Sequence, residues 1–122
     1  GDISSIFNIL STISFTSAEK LVDKRIRKFN EIYTYRVDKA YLFQLQNLDD
    51  KKEDVFKSLL KIQILSSDQA DLLANAFLKR RFYTQAIEVY IEARKSLKDE
   101  LLFAYNLTDL YFYSSNVDLA TL

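Results

Sequence analysis

At 122 residues, with seventeen basic side chains balanced by seventeen acidic ones, the chain is one domain in size and neutral in charge. It lacks the basic excess that neutralises phosphates in a nucleic-acid binder, and at 48% hydrophobic it is too apolar for a disordered tail. One Gly and no Pro, Cys or His argue against a turn-rich β-barrel, a glycine-rich nucleotide loop, a disulfide or thiolate zinc site, and the commonest general base.

The opening run GDISSIFNILSTISF is mildly apolar but has no basic start, so it is not read as a signal peptide. Nothing in the chain approaches the ~20 apolar residues of a membrane span. Ile3, Ile6, Leu10 and Ile13 suggest a short first helix. Thr16-x-x-Glu19 then resembles a capping box, in which each side chain satisfies an orphan N–H at a helix start. Val22, Ile26, Phe29, Tyr33, Val37 and Ala40 recur at steps of three or four, on one helical face. One long helix fits this pattern, as do two with a break near Tyr33–Tyr35.

The polar run Asn47–Asp54 reads as a turn and a helix start, followed by the apolar face Val55, Phe56, Leu59, Leu60 and Ile62. Ser66-x-x-Gln69 is a second capping box, ahead of Ala70, Leu73, Ala74 and Phe77. Another helix is expected from Tyr83 to Leu97. Asp99 is placed to cap the next, which carries Ala104, Leu107, Thr108 and Tyr111. Tyr113-Ser-Ser-Asn is expected to break that helix, with a new one starting at Val117. The whole chain therefore reads as all-α, with seven or eight helices of about 10–16 residues. Its many Tyr, Phe, Ile and Val sit at period 3.6 rather than 2.

A shift of 34 residues superposes Ala70 on Ala104, Leu73 on Leu107, Ala74 on Thr108, Phe77 on Tyr111 and Ala86 on Ala120. Size class is kept at each place, and such a period signals stacked helical hairpins. The pattern Ala70, Leu73, Ala74, Phe77, then Ala86, Tyr90, Ala93 resembles the tetratricopeptide repeat (TPR) family. That family's leading Trp is Ala70 here and its closing Pro is Lys98. One 34-residue repeat further back, Ala40 and Phe43 fit a first helix, but Lys52 replaces the second-helix alanine.

The resemblance implies a right-handed α-solenoid of stacked helix-turn-helix repeats. Residues 1–32 would be N-terminal helices, a divergent repeat or cap. Residues 33–66 would be a degenerate hairpin, 67–100 a full repeat and 101–122 a truncated one. Small residues let the helices of a hairpin approach, and large ones enter the gaps. Ala74 and Ala86 are expected to face each other, with Tyr111 as the core aromatic of the last repeat. The missing initiator Met and the unfinished last helix lead to the expectation of a larger parent protein.

By the same resemblance, a concave face formed by the first helices grips a partner peptide. Its lining would be Asp71, Asn75, Leu78 and Lys79, then Tyr105, Asn106, Asp109, Phe112 and Tyr113. Thr34, Val37, Tyr41 and Gln44 would extend it. The family's clamp for acidic C-termini needs a Lys where Asp71 stands, so no such clamp is expected, and the acids tilt the choice toward a partner with some positive charge. The aromatics Tyr105, Phe112 and Tyr113 suit either peptide contact or packing beneath a neighbouring helix.

Two charged clusters have competing readings. Lys24–Lys28 and Lys79–Arg81 would touch phosphates or an acidic membrane surface, or form solvated helix faces, as their acidic neighbours favour. Asp49, Asp50, Glu53 and Asp54 would serve acid–base work or hold a cation, or simply complement a helix dipole. No Gly supports a calcium loop there. The expectation is a non-enzymatic protein-interaction scaffold with no metal, cofactor or nucleic acid. The alternatives are a structural module that self-associates and a helical RNA-binding repeat. The compartment is left open, with cytoplasm and periplasm both allowed.

Overall fold

The computed structural model describes the backbone of residues 3–121 and the side chains of residues 12–114. Six helices are described: α1 (Ile3–Lys28), α2 (Tyr33–Leu45), α3 (Asp49–Leu60), α4 (Ser67–Lys79), α5 (Tyr83–Ser96) and α6 (Ala104–Thr121). The fold is all-α, and no strand occurs among the described residues. No helix among them is long and apolar enough to cross a membrane.

Six helices replace the seven or eight expected because two anticipated breaks do not form. The first is at Thr16, which lies inside α1, where its hydroxyl donates to the Thr12 carbonyl at 2.9 Å. A Thr hydroxyl can satisfy itself on the carbonyl one turn back as well as on a cap N–H, so the capping signal was ambiguous. The second is at Tyr113–Asn116, where α6 runs on without interruption. Serine and asparagine cost a helix only a few tenths of a kcal/mol each, and neither Gly nor Pro is present there. The side chains of Ile3, Ile6, Leu10, Val117 and Ala120 lie outside the described residues.

The chain divides into two compact units, residues 1–57 and 58–122, with the boundary inside α3. In the first unit α1 turns back onto α2 through residues 29–32, where the Ile32 N–H donates to the Phe29 carbonyl at 3.0 Å. Val22, Val37, Ala40 and Phe43 are buried there. Val37 is fully buried and cannot line an open face, contrary to its expected place in an extended concave surface. The basic cluster of α1 is used within this hairpin. Arg25 sits 5.7 Å from the Tyr35 ring centroid and Lys28 5.4 Å from that of Phe29. Lys39 meets Asp23 at 2.7 Å. Asp49 and Asp50 occupy the first turn of α3, where the helix dipole favours acids.

The second unit is built on the α4–α5 hairpin. Ser66 caps α4, its hydroxyl accepting from the Gln69 N–H at 3.1 Å. The Gln69 side chain reaches back to the Leu65 N–H at 2.7 Å and to the Gln63 carbonyl at 2.9 Å. The capping box thus closes one residue earlier than its usual form. Ala70, Ala74, Ala86 and Ala93 are all fully buried, as close helix approach requires. Leu73, Phe77, Val89 and Tyr90 fill the space between them.

The turns after α2 and α4 have the same backbone. The Leu48 and Asn47 N–H groups donate to the Phe43 and Gln44 carbonyls, and Phe82 and Arg81 donate to Phe77 and Leu78. Lys52 N–H to Leu48 and Ala86 N–H to Phe82 continue the correspondence. Each bond maps onto its partner at a shift of 34 residues, and each turn is a Schellman motif with a left-handed residue, Asn47 (φ 59°) or Arg81 (φ 60°). The repeat period read from side chains is therefore present in the hydrogen bonds of these two turns, even where Lys52 replaces the alanine.

Arginine is a costly residue at positive φ, by about 1–2 kcal/mol. The Arg81→Gly variant should gain about 0.5–1 kcal/mol once the greater entropy of the unfolded glycine chain is deducted. Urea unfolding followed by circular dichroism checks this. Asn47→Gly should gain less, since Asn tolerates the left-handed region better.

Candidate binding groove on α4, α5 and α6

The segment between α5 and α6 sets the geometry of the groove. Lys98 (φ 54°) closes α5 with a third Schellman turn, in which the Asp99 N–H donates to the Arg94 carbonyl at 3.0 Å. Contrary to its expected place, Asp99 does not cap α6. Its carboxylate accepts from the Leu101 N–H at 3.1 Å and stabilises an intervening turn. The Arg94 Nε latches that turn by donating to the Leu102 carbonyl at 2.7 Å.

Phe103 follows at φ 59°, a rare conformation for a bulky residue. Two contacts hold it there. Its ring lies 4.4 Å from that of Tyr90, and its carbonyl accepts from the Leu107 N–H at 2.9 Å, starting α6. Phe103, rather than Tyr111, is the aromatic that meets the hairpin. Tyr111 is 50% exposed and is not a core residue. With Phe103 already against Tyr90, α6 buries Leu107 and Leu110, three residues apart, and turns Tyr111 outward.

Asn75 and Leu78 of α4, Tyr83 and Tyr90 of α5, and Asn106, Asp109, Leu110 and Tyr113 of α6 line a groove of about 280 Å³. Tyr90 is its buried floor. The phenol donates to Asp71 Oδ1 at 3.0 Å, which ties α5 to α4. The Asn106 side chain also bonds the phenol and slightly favours its ionised form. Burial first, and the Asp71 carboxylate second, outweigh that and push the Tyr90 hydroxyl up to about 12.

Of the residues assigned to a concave face from sequence, Asn75, Leu78, Asn106, Asp109 and Tyr113 come together in this groove. Asp71 borders it through its bond to Tyr90. Lys79, Tyr105 and Phe112 are exposed and do not line it. Tyr83, Tyr90 and Leu110 were missed. Helical spacing marks Tyr90 only as a packing residue, yet a buried tyrosine needs a partner for its hydroxyl, and that requirement is the available signal.

The groove can pair amides with a peptide backbone, stack aromatic rings and offer negative charge. Compared with protein-family models, curated proteins and solved structures, the chain matches none.

Proposed function

We propose that the chain is a TPR-like protein-interaction module that holds an extended peptide segment of a partner in the α4–α5–α6 groove. The observation that carries this reading is the convergence of Asn75 on α4 with Asn106 and Tyr113 on α6 in one open groove. Two amides and an accessible ring on facing helices are the chemistry a peptide backbone and side chain need. We read the role as binding rather than catalysis, with neither metal nor cofactor. The thirty-four-residue correspondence of the α2 and α4 turns supports reading the helices as repeats, and so supports the solenoid as the architecture.

A second reading has its own support. Leu101, Tyr105 and Phe112 are exposed at 81%, 89% and 65%, a degree of apolar exposure that suits self-association. Sedimentation across a range of concentrations separates the two, because a monomer at all concentrations removes the second.

Selection from a library of random displayed peptides tests the first. Peptides retained by the wild type should bind the Asn75→Ala, Tyr113→Ala double variant about tenfold or more weakly, a loss of about 1.4 kcal/mol. Both replaced residues are exposed, so the variant should keep its helical circular dichroism. Equal binding by both proteins would place the contact elsewhere.

A further inference from the structure

We infer that the peptide held in the groove anchors itself there by an arginine side chain. This rests on the peptide-binding reading and adds the chemistry of the guest. Asp109 is the one carboxylate among the lining residues, and no Lys or Arg lines the groove. Asp71 adds a second carboxylate at its edge, bonded to the Tyr90 phenol. Two of the three flanking helices share the bias, while α5 is balanced, with Glu88 and Glu92 against Arg94 and Lys95. α6 carries Asp109 and no basic residue among its described side chains. α4 carries Asp68 and Asp71, and its single cation, Lys79, lies outside the lining. In a chain of zero net charge this local acidity is a property of the groove, not of the protein.

An acidic guest would meet carboxylates with no cation to offset them. A cationic guest meets Asp109 and the accessible rings of Tyr83 and Tyr113 on the walls. Tyr90 itself is buried and its phenol proton is committed to Asp71, so it supports the floor rather than touching the guest. These features favour a guanidinium over an ammonium. It is planar, more weakly hydrated, stacks on tyrosine faces and presents several donors at once to a carboxylate. The amides of Asn75 and Asn106 then meet the polar backbone on either side of the anchor.

The test uses the peptides selected against the wild-type chain, with binding followed by fluorescence anisotropy of labelled peptide. The selected pool should be enriched in arginine. Replacing that arginine by citrulline, its neutral isostere, should weaken binding about tenfold, as should Asp109→Asn, while Asp109→Glu restores most of it. Asp109 is exposed, so none of its variants should disturb folding, which thermal melts verify.

Three results would overturn the inference. Peptides that need Asn75 and Tyr113 but show no arginine enrichment, or bind Asp109→Asn equally well, leave the groove as the peptide site and remove the anchor. Peptides indifferent to Asn75→Ala and Tyr113→Ala remove both the groove reading and the anchor. Self-association abolished by Asp109→Asn makes a second copy of the chain the occupant.

Discussion

The Phe77→Ala variant is expected to lose about 3–5 kcal/mol of unfolding free energy, against a total of ~5–15 kcal/mol for a typical domain. Phe77 has no exposed surface. It lies in the last turn of α4, and its carbonyl accepts the Arg80 and Phe82 N–H groups of the following turn, each at 3.1 Å. Those bonds survive the substitution, so the loss comes from the ring. Ala74, Ala76 and Ala86 of the same hairpin are buried and short, and none can swing into the vacated space. A cavity that cannot collapse puts the cost toward the upper part of the range. The Tyr111→Ala variant is the matched control, because a shift of 34 residues equates the two positions in sequence. Tyr111 is half exposed, so its loss should cost under about 1 kcal/mol. Urea unfolding of both variants, followed at the helix signal, decides the matter. Equal losses would mean that Tyr111 is buried and that Phe103 is not the residue meeting the hairpin.

That pair of residues also shows where the sequence could be read and where it could not. The α4–α5 hairpin was legible because its signals are local and agree with one another. Ser66 and Gln69 start α4, alanines and aromatics keep one face through both helices, and the two helices are joined by a turn too short to allow any other pairing. The register of α6 was not legible. Leu110 and Tyr111 are adjacent, both are large, and either can serve as the inward residue of a helix. The choice falls to Leu110 because Phe103, seven residues before it, has already taken the place beside Tyr90. Phe103 does so from a left-handed backbone conformation that no propensity assigns to phenylalanine.

The groove was partly legible for the same reason. Positions on α4 such as Asn75 and Leu78 follow from helix periodicity alone. Those on α6 depend on a turn held by Arg94 and Asp99, whose contacts are not periodic. Tyr105 and Phe112 immediately precede the lining residues Asn106 and Tyr113, and one residue along a helix is a rotation of about 100°. That rotation carries them out of the lining and onto exposed surface.

Raising the pH through the alkaline range should reveal the Tyr90 network as a distinct loss of stability. The folded-state pKa is raised to about 12, from 10.0, chiefly by burial and then by Asp71. A phenol with a raised folded pKa contributes stability that is fully present below pH ~10 and is lost as pH climbs through ~12, since the unfolded chain ionises first. The loss should be about 1.4 kcal/mol at pH ~11 and approach about 2.7 kcal/mol above pH ~12. Other tyrosines and the lysines titrate in the same range, so the informative quantity is the difference between wild type and Tyr90→Phe. Near neutrality the variant should be less stable by about 1–2 kcal/mol, because Asp71 and Asn106 lose their shared partner. Asp71 is only partly buried, and water in its place keeps that cost near the lower value. As pH rises the wild type alone bears the cost of keeping Tyr90 protonated. The gap should therefore close near pH ~11 and reverse beyond it. Parallel decline of the two proteins would show that the phenol is not shielded. A closing gap would show instead that one shielded phenol hydroxyl joins α4, α5 and α6 at the floor of the groove. Peptide affinity should then fall in the Tyr90→Phe variant at neutral pH, even though Tyr90 has almost no exposed surface to offer a guest.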